Sequence, residues 1–188
     1  GRSMDDRIIV ELFWQRSPQA LDALDTTYGS TLRKLAENLL GSRQDAEECV
    51  NDAYLGLWEG IPPAKPNPLL PYALKVVRNL CLKRYHWNTA KKRFSPFDVA
   101  YTELEGCLAG SSGPEEHQDL QELRAALESF LRGLSQRDRQ LFLGRYWYGC
   151  AVKELALRLG MTESNTSVRL SRLRDKLRKR LLEKGVLE

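Results

Sequence analysis

The sequence predicts an all-α protein: two small helical domains joined by a flexible acidic linker, the C-terminal one a helix-turn-helix. Apolar residues recur at spacings of three and four through most of the 188 residues, and no segment shows the strict alternation of a β-strand. A Gly-Ser-Ser-Gly-Pro run lies within a stretch without periodicity at 97–119, which is typical of a linker. The predicted domains are therefore residues 4–96 and 120–188.

The N-terminal domain is predicted to contain four helices. The first ends near Pro18 and the second at Gly41, since proline and glycine both interrupt helices. A serine in a capping-box variant precedes the third helix, over 45–59. A loop with five prolines follows, and the fourth helix runs over about 72–88.

Acidic residues recur along the third helix at spacings of three, four and seven: Asp45, Glu48, Asp52 and Glu59. Like charges one helical turn apart destabilise a helix by roughly a few tenths of a kcal/mol each. Large side chains that we expect to be exposed lie beside this row: Tyr54, Leu55 and Trp58. The pattern favours a surface that docks on a partner. A solvated acidic face is the alternative.

The fourth helix and the residues after it are basic and aromatic. Seven bases and no acid occur from Lys75 to Arg93, and Tyr85, His86 and Trp87 lie among them. Basic charge with aromatic rings suits unpaired nucleic acid, because the rings stack on exposed bases. Alternatively, Tyr85 and Trp87 belong to the core at the end of the helix.

Near the C terminus the pattern predicts a short helix, a glycine turn and a long basic helix. The first helix ends at Gly160, and Thr162 can cap the second, in which leucines recur at spacings of three and four. In a helix-turn-helix the second helix contacts base edges in the major groove, while basic residues further along neutralise phosphates. A surface hairpin with solvated lysines and arginines is the alternative.

Charge is distributed unevenly along the chain, although its net value is only +4. Residues 124–188 hold 15 Lys and Arg against seven Asp and Glu, whereas residues 97–123 hold seven acids and no base. This asymmetry indicates a C-terminal end that faces nucleic acid and an acidic connector.

No metal, cofactor or catalytic site is expected. The four cysteines occur singly, and His86 and His117 are not spaced to complete a zinc site. Common catalytic motifs such as H-E-x-x-H and G-x-S-x-G do not occur. We therefore expect no enzyme activity, and a cytoplasmic protein with reduced thiols, without a signal peptide or membrane insertion. Residues 1–3, before Met4, are interpreted as a cloning remnant.

The combination of these features resembles the extracytoplasmic-function (ECF) sigma factors of bacterial RNA polymerase, in the sigma-70 superfamily. Residues 45–58 are similar to region 2.2 of that family, which binds the polymerase core. Residues 77–82 are similar to the entry of its promoter-melting helix. Residues 140–174, which end in Arg169-Leu-Ser-Arg-Leu-Arg174, are similar to region 4.

The resemblance implies an alternative sigma factor that binds polymerase core and directs promoter recognition, DNA melting and transcription initiation. Residues implied to bind the coiled coil of the largest polymerase subunit are Asp45, Glu48, Asn51, Asp52, Leu55 and Trp58. Residues implied to bind the minus-ten element are Arg78, Asn79, Lys83, Arg84, Tyr85, His86 and Trp87. Residues implied to bind the minus-thirty-five element are Glu163, Ser164, Asn165, Ser167, Val168, Arg169 and Arg172.

Further partners follow from the same resemblance. The polymerase flap is a second contact, the acidic linker would run toward the RNA exit path, and an anti-sigma factor is a candidate inhibitor. The sequence departs from the family at Lys83, where an acid is usual, and at Thr166-Ser167, where Val-Lys is common. The promoter sequence therefore cannot be inferred by analogy.

The alternative function is a helix-turn-helix transcriptional regulator that acts without being a polymerase subunit. Such a regulator would need a sensing domain, for example an α/β receiver, and the N-terminal half shows no strand pattern from which to build one.

Overall fold

The computed structural model describes residues 4–87, 96–108 and 116–187, in which all regular secondary structure is helical. The chain forms two compact units, residues 1–95 and residues 96–188. The predicted all-α fold class with two helical domains is confirmed.

Over residues 4–87, the N-terminal unit contains four helices: α1 (Asp6–Trp14), α2 (Gln19–Leu40), α3 (Arg43–Gly60) and α4 (Leu69–Trp87). The long α2 helix is central, since it contacts each of the other three, and α3 also packs against α4. Their apolar stripes meet in one core, whose largest fully buried side chains are Ile9, Phe13, Leu24, Leu32, Leu35, Leu39, Leu57, Ile61 and Leu69. Burial of these stripes is what stabilises the bundle.

The helix boundaries of this unit follow local signals, with one difference. The Ser42 side chain accepts a hydrogen bond from the Asp45 backbone N–H at 3.2 Å, which confirms the predicted cap of α3. Helix α4 begins at Leu69, three residues earlier than expected. The Leu69 N–H donates to the Asp6 carboxylate of α1 at 3.0 Å, and this long-range partner satisfies a free N–H of the first turn.

In its described residues, the C-terminal unit contains five helices: α5 (Pro96–Leu108), α6 (Glu116–Gly133), α7 (Gln136–Tyr146), α8 (Val152–Leu159) and α9 (Glu163–Glu183). Helix α9 contacts the other four. The core holds a row of aromatic rings, in which Phe142 lies 5.4 Å from Phe130 and 4.8 Å from Tyr146 between centroids. These rings pack with the leucines of α9.

The predicted linker at 97–119 is wrong for its first part, because residues 96–108 form helix α5. This helix packs against α7 and α9, with Ala100 fully buried. The Cys107 thiol donates to the Arg174 carbonyl at 3.1 Å, and Arg178 donates to the Cys107 carbonyl at 2.6 Å. Residues 109–115 lie outside the described part of the chain, and α6 begins four residues before the expected position.

All four cysteines are free thiols, and Cys49, Cys81 and Cys150 are buried. Of the helices that the structure describes, none is long and apolar enough to span a membrane.

Candidate functional site

The helix-turn-helix predicted near the C terminus is present. Helix α8 ends at Gly160, which adopts the left-handed conformation (φ 64°) that glycine tolerates best. Helix α9 begins after Thr162, whose side chain accepts a hydrogen bond from the Asn165 N–H at 3.1 Å. Arg137 of α7 donates to the Leu159 carbonyl at 2.8 Å, which satisfies the end of α8. A tight turn therefore joins a short bracing helix to a long basic one.

Helix α7 packs closely against α8, the first helix of this motif. A Cβ atom added to Gly144 would lie 2.5 Å from Cδ2 of Leu155, so the Leu155 side chain would have to move to accommodate a larger residue. The inner face of α9 is the predicted apolar stripe of Leu170, Leu173, Leu177 and Leu181, all buried. The charged residues of α9 lie outside this stripe, on the flanks and the outward face of the helix.

The seven residues predicted to contact the minus-thirty-five element are all exposed: Glu163, Ser164, Asn165, Ser167, Val168, Arg169 and Arg172. Val168 is an apolar side chain with 47% exposure. Between them, Thr166 is fully buried, and its hydroxyl donates to the Thr162 carbonyl at 2.8 Å. The structure thus brings the predicted residues to the N-terminal half of one helix.

Arg169 differs from the other six because it forms a two-point ion pair. Its Nε and Nη2 atoms donate to the two carboxylate oxygens of Asp138 on α7, at 2.7 and 2.9 Å. The hydrogen bond from Arg169 lowers the pKa of Asp138 despite partial burial of this carboxylate, so it is ionised at neutral pH. Arg169 is therefore bonded within the protein, a role that the sequence did not predict.

Some of the other basic residues of α9 also donate hydrogen bonds to neighbouring helices. Arg174 and Arg178 donate to groups of α5, and Arg180 donates to a serine of α6 at 3.3 Å. Arg172, Lys176, Lys179 and Arg180 are exposed. The row of cations that appears continuous in the sequence therefore includes side chains engaged by neighbouring helices, and the outward-facing charge is smaller than the count suggests.

A cluster of charged side chains joins α5, α7 and α9. The Glu103 carboxylate accepts from Arg145 at 2.8 Å and from Arg174 at 3.2 Å, and Arg174 also donates to the Tyr146 hydroxyl at 2.7 Å. Burial raises the pKa of Glu103, but the hydrogen bond and charge of Arg145 outweigh it, and the net pKa is lowered. Burial raises the pKa of Tyr146 to about 12. Residue spacing does not predict this cluster, which holds α5 in the C-terminal unit.

In the N-terminal unit, four of the predicted polymerase-binding residues are exposed together on α3: Glu48, Asn51, Asp52 and Leu55. Leu55 is 61% exposed, which is unusual for a leucine in the middle of a helix. An apolar side chain flanked by acids suits a partner surface that is basic with an apolar centre.

One arginine connects this acidic face with the predicted minus-ten surface. Arg84 of α4 lies 2.9 Å from Asp45 and 2.7 Å from Glu48 of α3. The hydrogen bond that Arg84 donates to Glu48 raises the pKa of this guanidinium above its ordinary value. Arg84, predicted to bind DNA, is therefore paired with Asp45 and Glu48, predicted to bind polymerase. Asp52, the third acid predicted to bind polymerase, does not take part in this pairing with Arg84.

Two aromatic residues of α3 are less exposed than expected. The Tyr54 hydroxyl donates to Asp25 of α2 at 2.6 Å, so the expectation of an exposed Tyr54 is wrong. Burial, followed by this hydrogen bond, raises the pKa of Tyr54. The Trp58 ring is half-buried, with the Arg16 guanidinium 4.0 Å from its centroid and Phe13 beside it. Both rings contribute to helix packing.

The predicted minus-ten residues lie along α4. Asn79 and Lys83 are exposed, whereas Arg78 and Tyr85 are half-buried. Burial lowers the pKa of Arg78 to about 10, which still leaves it mainly charged at neutral pH. The side chains of His86 and Trp87, together with the bases at 91–93, lie outside the described part of the chain.

Comparison with known families assigns the two units. Sigma-70 region 2 matches residues 24–91, and sigma-70 region 4 matches residues 124–177. The chain belongs to the sigma-70 family. The matched segments contain all the predicted contact residues. Because both regions and a sigma factor relative match the chain, the resemblance to ECF sigma factors is confirmed.

One curated relative is the probable RNA polymerase sigma factor RfaY of Xanthomonas campestris pv. campestris. It is 26% identical over 170 residues, which cover 88% of this chain and 41% of that protein. This chain thus spans about two fifths of the length of that relative. A solved structure of CnrH in complex with the cytosolic domain of CnrY matches 95% of this chain and 97% of that one, with 20% identity and a TM-score of 0.45.

Proposed function

We propose that this protein is an alternative sigma factor. It binds bacterial RNA polymerase core and directs promoter recognition, DNA melting and transcription initiation. The observation that carries the proposal is the presence of sigma-70 regions 2 and 4 in one chain, each with an exposed surface suited to its role. The protein works without catalysis or a cofactor, in the cytoplasm where its polymerase is found.

The exposed face of α3 is the proposed polymerase contact. Asp52 and Glu48 supply negative charge, and Leu55 supplies an apolar anchor that is 61% exposed in the free chain. Such an anchor loses its water-exposed area on docking, while the acids steer the approach of a basic partner. The proposed partner surface is the coiled coil of the largest polymerase subunit, and the flap is proposed to contact the C-terminal unit.

The C-terminal part of α4 is the proposed minus-ten surface. Asn79 and Lys83 are exposed there, and the half-buried Tyr85 offers a ring. Amide and ammonium groups can bind the phosphates and base edges of an opened strand, and aromatic rings stack on unpaired bases. Arg84 would have to leave Asp45 and Glu48 to contact DNA directly.

The N-terminal half of α9 is the proposed minus-thirty-five surface. Val168 and Arg172 are each two residues from the buried Leu170, so they lie on the side of α9 opposite the core. An arginine can donate two hydrogen bonds to guanine, and an apolar side chain can contact the thymine methyl group. Lys179, further along, is placed for a phosphate contact. An anti-sigma factor remains a candidate partner, predicted from the family resemblance.

The proposal is tested by binding and selection in parallel. The purified chain is first run on gel filtration with bacterial core polymerase, and DNA duplexes are then selected from a random pool with and without core. We expect a stable complex with core, and enrichment of a two-part sequence only when core is present. Enrichment by the chain alone, without binding to core, would instead establish the helix-turn-helix regulator.

A further inference from the structure

Arg169 links α9 to α7 through a pair of hydrogen bonds. Its planar guanidinium donates through Nε and Nη2 to both oxygens of Asp138, at 2.7 and 2.9 Å. Two parallel hydrogen bonds fix the angle between the two groups as well as their distance. Asp138 is itself held in the first turn of α7, where its backbone N–H donates to Ser135 at 3.2 Å.

The solvent exposure of the two side chains also indicates a structural pair. The Asp138 side chain is only 13% exposed, whereas that of Arg169 is 47% exposed. A carboxylate this far from solvent is costly to ionise unless it is paired, and Arg169 supplies the paired charge.

The position of Arg169 on the helix separates it from the outward face. Arg169 precedes the buried Leu170 by one residue, so it lies at the flank of α9, next to the core. Val168 and Arg172 lie on the opposite side of the helix from Leu170. The pair with Asp138 therefore joins the flank of α9 to α7 and leaves the outward side chains unobstructed.

We propose that Arg169 is a positioning residue: its fork-shaped pair with Asp138 sets the rotation of α9 relative to α7, and thereby the sequence discrimination of Val168 and Arg172. The proposal rests on the proposed function, since it concerns the recognition of the minus-thirty-five element. It replaces the predicted direct contact between Arg169 and DNA.

Three possible roles of Arg169 give different results. A phosphate contact contributes to the salt dependence of binding, so its loss reduces the slope of log affinity against log salt by roughly one. A base contact controls preference at one base pair and does not require Asp138. A positioning pair affects the preference for the whole element, requires both residues, and leaves the salt slope unchanged.

The experiment uses the full chain bound to bacterial core polymerase. Dissociation constants are measured across a salt titration, for the promoter selected by the wild type and for the same duplex with a shuffled minus-thirty-five element. The variants are Asp138→Asn, Arg169→Gln and their combination, and Arg172→Gln is the control for a direct contact. Thermal unfolding of each variant verifies that it is folded at the temperature of measurement.

We expect Asp138→Asn and Arg169→Gln each to reduce the preference for the selected duplex roughly tenfold, about the effect of one lost base contact. The double variant should be no worse than either single variant, and the salt slopes should equal that of the wild type. Arg172→Gln should reduce the preference by itself, and its combination with Asp138→Asn should reduce it by less than the sum of the two separate effects, because the pair acts through Arg172.

Arg169→Lys keeps the positive charge but loses the two-point geometry, so it remains informative if the glutamine variant does not fold. We expect a several-fold reduction in preference. Full preference in the lysine variant, or in Asp138→Asn, would overturn the proposal, as would a reduced salt slope in Arg169→Gln. If the wild type selects no sequence with core present, the proposed function fails and this role fails with it.

Discussion

Arg145 of α7 and Glu103 of α5 form an ion pair 2.8 Å long, in which the arginine side chain is only 4% exposed. The same guanidinium donates to the Cys150 carbonyl at 3.0 Å, at the start of the helix-turn-helix. A buried arginine of this kind depends on its carboxylate partner, because removal of that partner leaves an uncompensated charge in the interior. Helix α5 is therefore part of the C-terminal fold and not only a connection to it.

We predict that Glu103→Gln lowers the free energy of unfolding of the C-terminal unit by about 2 kcal/mol, since it removes the charge that neutralises Arg145. Urea unfolding followed by circular dichroism measures the change. Glu128→Gln is the matched control: Glu128 pairs with Arg124 on the exposed surface of α6, and we expect a change below about 0.5 kcal/mol. Equal effects of the two substitutions would contradict the structural role of α5.

The close approach of α7 and α8 gives a second prediction. Gly144→Ala should lower the free energy of unfolding by about 1 kcal/mol, because the new methyl group meets buried Leu155 and this outweighs the better helix propensity of alanine. Gly133→Ala, at the end of α6, meets nothing within 4 Å and should be neutral or stabilising. Thermal denaturation of both variants measures the difference. A stabilised Gly144→Ala would show that the helices are not packed as described.

Asp52 offers the clearest test of the proposed polymerase contact, because Asp45 and Glu48 also hold Arg84. We predict that Asp52→Arg weakens binding to polymerase core at least about tenfold while the thermal stability stays near that of the wild type. Asp22→Arg, on the exposed surface of α2, is the control with the same change in charge. Titration of labelled protein with core measures both. An unchanged affinity of the Asp52 variant would remove α3 from the interface.

The pair between Asp138 and Arg169 should make stability depend on pH. The pKa of Asp138 in the folded protein is lowered below its ordinary value of 3.8, mainly by the hydrogen bond from Arg169. Its contribution to stability is therefore complete above that ordinary value and disappears as the pH falls through the lower, folded-state pKa.

The wild type and Asp138→Asn are compared by thermal unfolding from pH 7 to pH 2, so that effects of other groups cancel. We expect a constant advantage of the wild type down to about pH 5 and a decreasing one below about pH 4. An advantage that increases as the pH falls would show that the carboxylate is not stabilised in the folded state.

Features that depend on neighbouring residues in the chain could be predicted from the sequence. The helix-turn-helix follows from Gly160, the Thr162 cap and the leucine stripe, all within one short segment, and the structure has each of them. The acidic face of α3 follows from residue spacing in the same way. Local conformational preferences decide such features, so a single sequence is sufficient.

Features that depend on distant residues could not be predicted. The partner of Arg169 is 31 residues away and the partner of Arg145 is 42 residues away, so spacing gave no indication of either. Spacing along α3 predicts an exposed Tyr54, but its hydroxyl donates to Asp25 of α2, which is 29 residues away in the sequence. Helix α5 had a partial signal, since Ala100, Leu104 and Cys107 share one helical face, but the Gly-Ser-Ser-Gly-Pro run that follows it favoured a linker.

The central claim, that the chain is a sigma factor, is tested most directly by transcription in vitro. Purified bacterial core polymerase is incubated with the protein and a pool of random promoter sequences, and the transcripts are sequenced after several rounds. We predict transcripts that require the protein and share a two-part promoter sequence upstream of their start sites. No dependence of transcription on the protein, although the core is active with another sigma factor, would contradict the claim.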